Sequence, residues 1–170
     1  MKKWIVVLFF VLFALVSCGQ PEAADINIDT VVGDITAKYA LNDGFLFTSS
    51  SDKLGEYLDE DLILGYYGDA ADVPDFSKIA SYCVYIDESD VDVYTDVGIF
   101  KMADPTYAET FVEYLRARID DKIAEAVMYP TRDIPTLEAS VFTVYGDYVY
   151  YVCAENVQDI VTDIRTSLEQ

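Results

Sequence analysis

Ala139-Ser140-Val141-Phe142-Thr143-Val144-Tyr145-Gly146-Asp147-Tyr148-Val149-Tyr150-Tyr151-Val152-Cys153-Ala154 decides the fold. The run is β-branched and aromatic on both sides of Gly146-Asp147, so it reads as two antiparallel strands, 139–145 and 148–154. Glycine at the first turn position suits a type II′ hairpin. Downstream, Asn156 stands as an N-cap before Val157, Ile160, Val161, Ile164 and Leu168, one apolar stripe of a final helix. Upstream, Asp104-Pro105 opens a long helix, since Asp caps and Pro suits the first helical position. Ala108, Phe111, Val112, Leu115, Ile119, Ile123, Ala126 and Val127 continue it at spacings of three and four, until Tyr129-Pro130. Before that come two more strand-like stretches, Tyr82-Cys83-Val84-Tyr85-Ile86 and 93–102, with the acidic turn 87–90 between them.

The resulting order is strand-strand-helix-strand-strand-helix. It predicts an α+β domain: an antiparallel sheet with helices packed on one face, preceded by a short helical N-terminal part. In that part Asp29 is the expected cap of a first helix carrying Val31, Val32, Ile35 and Tyr39, and Phe45-Leu46-Phe47 reads as a short strand. Ser51 or Asp52 is the expected cap of a second helix carrying Leu54, Tyr57 and Leu58, while 59–80 gives little periodic signal.

The N-terminus carries an address. Lys2 and Lys3 precede an uncharged apolar run from Trp4 to Val16, shorter than the roughly 20 residues that cross a bilayer. Leu15-Val16-Ser17-Cys18 then fits a lipobox, with a small residue before the cysteine and an aliphatic one three before it. The expectation is a signal peptide over 1–17, diacylglycerol and palmitate on Cys18, a tether over 18–28 and a single domain over 29–170. Two acyl chains give stable membrane anchoring. The protein is then extracytoplasmic, and its membrane contact runs through Cys18.

Composition narrows the partners. The 170 residues include 31 acids and 11 bases; two of those bases lie in the signal, leaving 31 − 9 = 22 excess negative charges on the mature chain. Such a surface repels phosphate backbones, so nucleic acid is not an expected partner. There is no histidine, which removes the commonest general base and transition-metal ligand. No nucleophile elbow, phosphate loop or metalloprotease helix occurs, and no catalytic residue is assigned: the chain reads as a non-enzyme. Cys83 and Cys153 are read as two buried thiols in preference to a disulfide.

Three groups are candidates for function. Asp87, Glu88, Asp90 and Asp92 form an acidic turn that could hold calcium weakly, although it lacks the EF-hand glycine and glutamate, and solvated turn is the favoured reading. Among the fourteen tyrosines, Tyr148 and Tyr150 share one face of the hairpin and form a candidate aromatic platform for peptide or glycan, against cross-strand packing as the alternative. Arg118 and Lys122, four apart on the long helix, share a face and are expected to pair with carboxylates, the Arg118 stem lying along the core.

Gly98-Ile99-Phe100-Lys101 at the end of a strand, Arg118 in the long helix, Tyr129-Pro130 after it and Gly146-Asp147-Tyr148-Val149 in the hairpin together resemble the lipoproteins of Firmicutes that carry domain of unknown function 4358. The lipobox fits that resemblance. Gly98 stands where it leads one to expect a glutamate. The resemblance implies a bacterial surface lipoprotein and no catalytic residues. The expected role is therefore a lipid-anchored binding module for a protein, peptide or wall glycan. A calcium-binding protein is the alternative, and a small carboxylate hydrolase a distant third.

Overall fold

The computed structural model describes residues 23–69, 71–88, 94–128 and 134–170. The signal segment with Leu15, Val16, Ser17 and Cys18, and also Asp90, Asp92 and Tyr129-Pro130, lie outside the described residues.

The fold is α+β, built on a five-stranded antiparallel sheet. Its strands are β1 (Phe45–Thr48), β2 (Ile79–Asp87), β3 (Thr95–Met102), β4 (Val141–Tyr145) and β5 (Tyr148–Cys153), in the spatial order β1-β2-β3-β5-β4. The helices are α1 (Ile28–Lys38), α2 (Glu60–Tyr67), α3 (Ala108–Met128), α4 (Ile134–Glu138) and α5 (Val157–Leu168). The β4–β5 turn is made as its residues demand: Gly146 has φ +60°, while Asp147 stays out of the left-handed region.

Helices cover both faces of the sheet, not one. Tyr148, Tyr150 and Val152 of β5 pack with Cys83, Val97 and Ile99 under α1 and α5. Val149 and Tyr151 point the other way, with Phe100, Tyr82 and Val84, under α2 and α3. The reason is in the strands themselves. Every residue of β5 is buried, and a strand apolar at consecutive positions satisfies neither face unless both are covered. Cys83 and Cys153 consequently lie on opposite sides of the sheet and are both buried thiols.

The N-terminal part differs most from its sequence reading. The α1 cap is Asn27, whose side chain accepts from the Thr30 N–H at 3.0 Å. Asp29 sits in the first turn and accepts from the Thr48 and Ser50 hydroxyls, both at 2.6 Å. Residues 51–58 form turns instead of a helix. The helix lies in the poorly periodic stretch, capped by Asp59 through the Leu62 N–H at 2.9 Å and ended by Gly68. The expected tether also ends early. Ala24 N–H bonds Leu168 O at 2.9 Å, Ile26 N–H bonds the Tyr148 hydroxyl at 3.2 Å, and Asp25 meets Lys101 at 2.6 Å.

Asp104 caps a 3-10 turn at Pro105–Tyr107 that leads into α3. Asn156 precedes α5, but its side chain makes no capping bond.

Candidate functional site

One face of α3 enters the sheet at Phe111 and Leu115, and Arg118 stands on the same stripe one turn later, 5% exposed. An arginine there keeps its stem in the core and must find partners for its head. The first is Asp96, at the start of β3 and fully buried. Alternation along β3 sends Asp96, Gly98, Phe100 and Met102 to the α3 side.

Asp96 Oδ2 accepts from Arg118 Nε at 2.8 Å and from the Tyr94 hydroxyl at 3.0 Å. Its other oxygen accepts from the Tyr151 hydroxyl, which is 3.1 Å from that of Tyr67. Gly98 makes this possible. It pairs with Tyr151 across the β3–β5 ladder, and a Cβ there would run into the Tyr151 ring. The Tyr151 ring takes the space a side chain at 98 would fill, and its hydroxyl reaches the buried carboxylate.

Outward from Asp96 the charges alternate. Arg118 Nη2 donates to Glu88 Oε1 at 3.0 Å, and Lys122 Nζ lies 3.1 Å from the same oxygen. The guanidinium also stacks against the rings of Tyr66, Tyr67 and Tyr94, with its carbon 4.6, 5.6 and 5.8 Å from their centroids. Cation–π contact of this kind strengthens when water is excluded.

Burial raises the Asp96 carboxyl above its ordinary value, against the pull of Arg118 and the Tyr151 and Tyr94 hydroxyls. The three donors around it match a carboxylate, which only accepts. Burial works downward on Arg118, yet Asp96 and the neighbouring tyrosines hold it well above its ordinary value. For Glu88 burial works upward, but Arg118 and Lys122 overcome it and hold the carboxyl below its usual range. Tyr67, Tyr94 and Tyr151 are all pushed up, by burial first and then by Asp96.

Beside this network a cleft of about 330 Å³ opens between the end of α2 and the middle of α3. Arg118 and Lys122 line its inner wall, with Tyr66 and Tyr114 as aromatic sides. Asp69, Asp72, Glu88, Asp121 and Glu125 also line it, five carboxylates against two cations. Asp72 accepts from the Tyr114 hydroxyl at 2.6 Å, and that bond with burial pushes the phenol up to about 12.

Residues 75–154 match the family described as Domain of unknown function (DUF4358). No curated protein and no solved structure matches the chain. The DUF4358 region runs from just before β2 to just after β5 and contains Glu88, Tyr94, Asp96, Arg118, Lys122 and Tyr151. Tyr66 and Tyr67 come from α2, outside it, so the cleft joins a DUF4358 wall to an N-terminal one.

The sequence candidates fall into three groups. Arg118 and Lys122 are brought together on Glu88, whereas Arg116 points elsewhere and stacks on Phe142, 4.7 Å from its centroid. Tyr148 and Tyr150 form no surface: at 0% and 2% exposure they are core beneath α1 and α5, because helices cover the face that a platform needs open. Of the calcium candidates, Glu88 is already bound to two cationic side chains, and among the described residues no three potential metal ligands cluster. Elsewhere Asp69 accepts from the Ala71 and Asp72 N–H groups, and Asp75 caps a 3-10 turn. Asp96, Tyr94, Tyr151, Tyr66 and Tyr67 were not singled out in the sequence. One signal was available: Asp96 is the lone acid within the strand-like stretch 93–102.

Proposed function

We propose that this chain is an exported lipoprotein, held to the membrane by diacylglycerol on Cys18, whose domain is a binding module and not an enzyme. The cleft between α2 and α3 is the place where it takes its partner. The observation that carries this reading is the pairing of a rigid floor with an acidic rim. Asp96, Arg118, Glu88 and Lys122 satisfy one another, so the inner wall is preorganised, and preorganisation lowers the cost of binding. The remaining rim carboxylates and the Tyr66 and Tyr114 faces favour a peptide or protein that presents an amine or guanidinium.

The same geometry argues against catalysis. Asp96, a carboxyl with a raised pKa, is wholly out of solvent, and a general acid or base must come within hydrogen-bond reach of its substrate. Among the described residues no helix is long and apolar enough to cross a membrane; the anchor in this reading is Cys18 alone.

Two measurements test it. Radiolabelled palmitate fed to the native host should appear on the wild-type chain and not on Cys18→Ser; label on neither removes the anchor. Calorimetric titration with lysine-containing peptides should show binding that Asp121→Lys weakens at least about tenfold, a loss near 1.4 kcal/mol. Equal affinity for neutral peptides, or no change in the variant, removes the cleft as the binding site.

A further inference from the structure

The way residues 24–26 are pinned has a consequence for how the domain stands on a membrane. Cys18 and Ala23 are 23 − 18 = 5 residues apart, and five residues span at most about 18 Å when fully extended. A domain of this length is roughly 38 Å across. The point where the chain enters the domain must therefore stay near the lipid headgroups while the opposite end cannot reach them.

That entry point lies at one pole. Ala24 bonds Leu168 at the end of α5, Asp25 meets Lys101 near the end of β3, and Ile26 bonds Tyr148 at the start of β5. The neighbouring loops converge on the same pole. Met102 N–H bonds Asp147 O at 2.7 Å in the β4–β5 turn, and Ala103 N–H bonds Lys78 O at 2.8 Å before β2. From this pole α3 runs away for its 21 residues, a length of about 30 Å. Asp96, Glu88 and the exposed Val127 and Met128 belong to the other pole.

We propose that the short tether mounts the domain with the Lys78–Lys101–Gly146-Asp147 pole nearest the lipid headgroups and the far end of α3, at Val127 and Met128, directed away from the membrane. The proposal rests on the Cys18 anchor.

Energy transfer to a membrane tests it. The lipidated full chain is placed in vesicles of phosphatidylcholine and phosphatidylglycerol that carry an acceptor dye on the headgroup. A donor is attached at Gln170→Cys, beside the entry point, or at Val127→Cys, at the far end of α3. Cys83 and Cys153 are buried and Cys18 carries the lipid, so the new thiol takes the label. Transfer from Gln170→Cys should exceed that from Val127→Cys at least about twofold, given the roughly 30 Å between the poles. Protein that floats with the vesicles but gives equal or reversed transfer overturns the orientation alone. Protein that does not float overturns the anchor, and the orientation with it.

Discussion

Replacing Arg118 with methionine should destabilise the protein more than any change on the surface of α3. Methionine keeps most of the buried stem and removes only the charged head. Asp96, fully buried, then keeps two hydroxyl donors but loses its counter-charge and the 2.8 Å bond from Nε. Breaking a buried ion pair from one side costs about 3–5 kcal/mol, a large share of the 5–15 kcal/mol that holds a typical domain together. Adding Asp96→Asn removes the stranded charge while leaving an oxygen for Tyr151. The double variant should therefore recover about 2 kcal/mol relative to Arg118→Met, within the usual range of couplings between contacting residues. Urea unfolding followed by far-ultraviolet circular dichroism measures all three. The pH dependence has a definite sign. Asp96 has a folded pKa raised above its unfolded one, so its contribution is most favourable at low pH and is lost as pH rises through the folded value. Removing Arg118 lifts that value further. The penalty of Arg118→Met should be greatest at neutral pH and shrink towards about pH 4, the ordinary carboxylate range. A penalty below about 1 kcal/mol would refute the reasoning, since that is the ordinary range of an exposed pair. So would a penalty independent of pH, or a double variant no more stable than the single.

Gly98→Ala should cost about 1–3 kcal/mol, the usual price of overpacking, because its Cβ meets the Tyr151 ring; unfolding at the wild-type urea midpoint contradicts this. Tyr150→Ala should lower stability by about 3–5 kcal/mol as a core truncation, while Tyr148→Phe, which loses the hydroxyl's bonds with Ile26 N–H and the Asp25 carboxylate, should cost about 0.5–1.5 kcal/mol. Thermal melts of the two separate core residues from a surface patch, which would leave both melts unchanged. Neither Cys83 nor Cys153 should react with maleimide in the folded protein, since both are buried and burial with the Asp29 carboxylate pushes the Cys83 thiol up; rapid labelling without denaturant counts against the packing described.

How much of this was legible varied along the chain. Where periodicity was strong it was enough: α3, α5 and the β4–β5 hairpin follow from the spacing of apolar residues and the Gly146 turn. It failed for α2, whose eight residues are too few for a clear stripe and whose apolar residues Leu62, Ile63, Tyr66 and Tyr67 read equally well as a strand. It also failed for Tyr148 and Tyr150, because alternation says which residues share a face and not whether that face is covered. Arg118 was legible as a core-bordering arginine expected to meet a carboxylate, but with 31 acids in the chain spacing could not choose among them.

Local rules, then, were sufficient for whatever depends on neighbours in the chain: strands and helices with a clear period, and the antiparallel hairpin. Tertiary structure alone decided that two helical layers sandwich the sheet, that Asp96 is the partner of Arg118, and that Tyr151 lies in the space over Gly98. The last two outcomes join residues 22 and 53 positions apart. Packing and the need to match every buried charge select such pairs, and neither acts along the sequence.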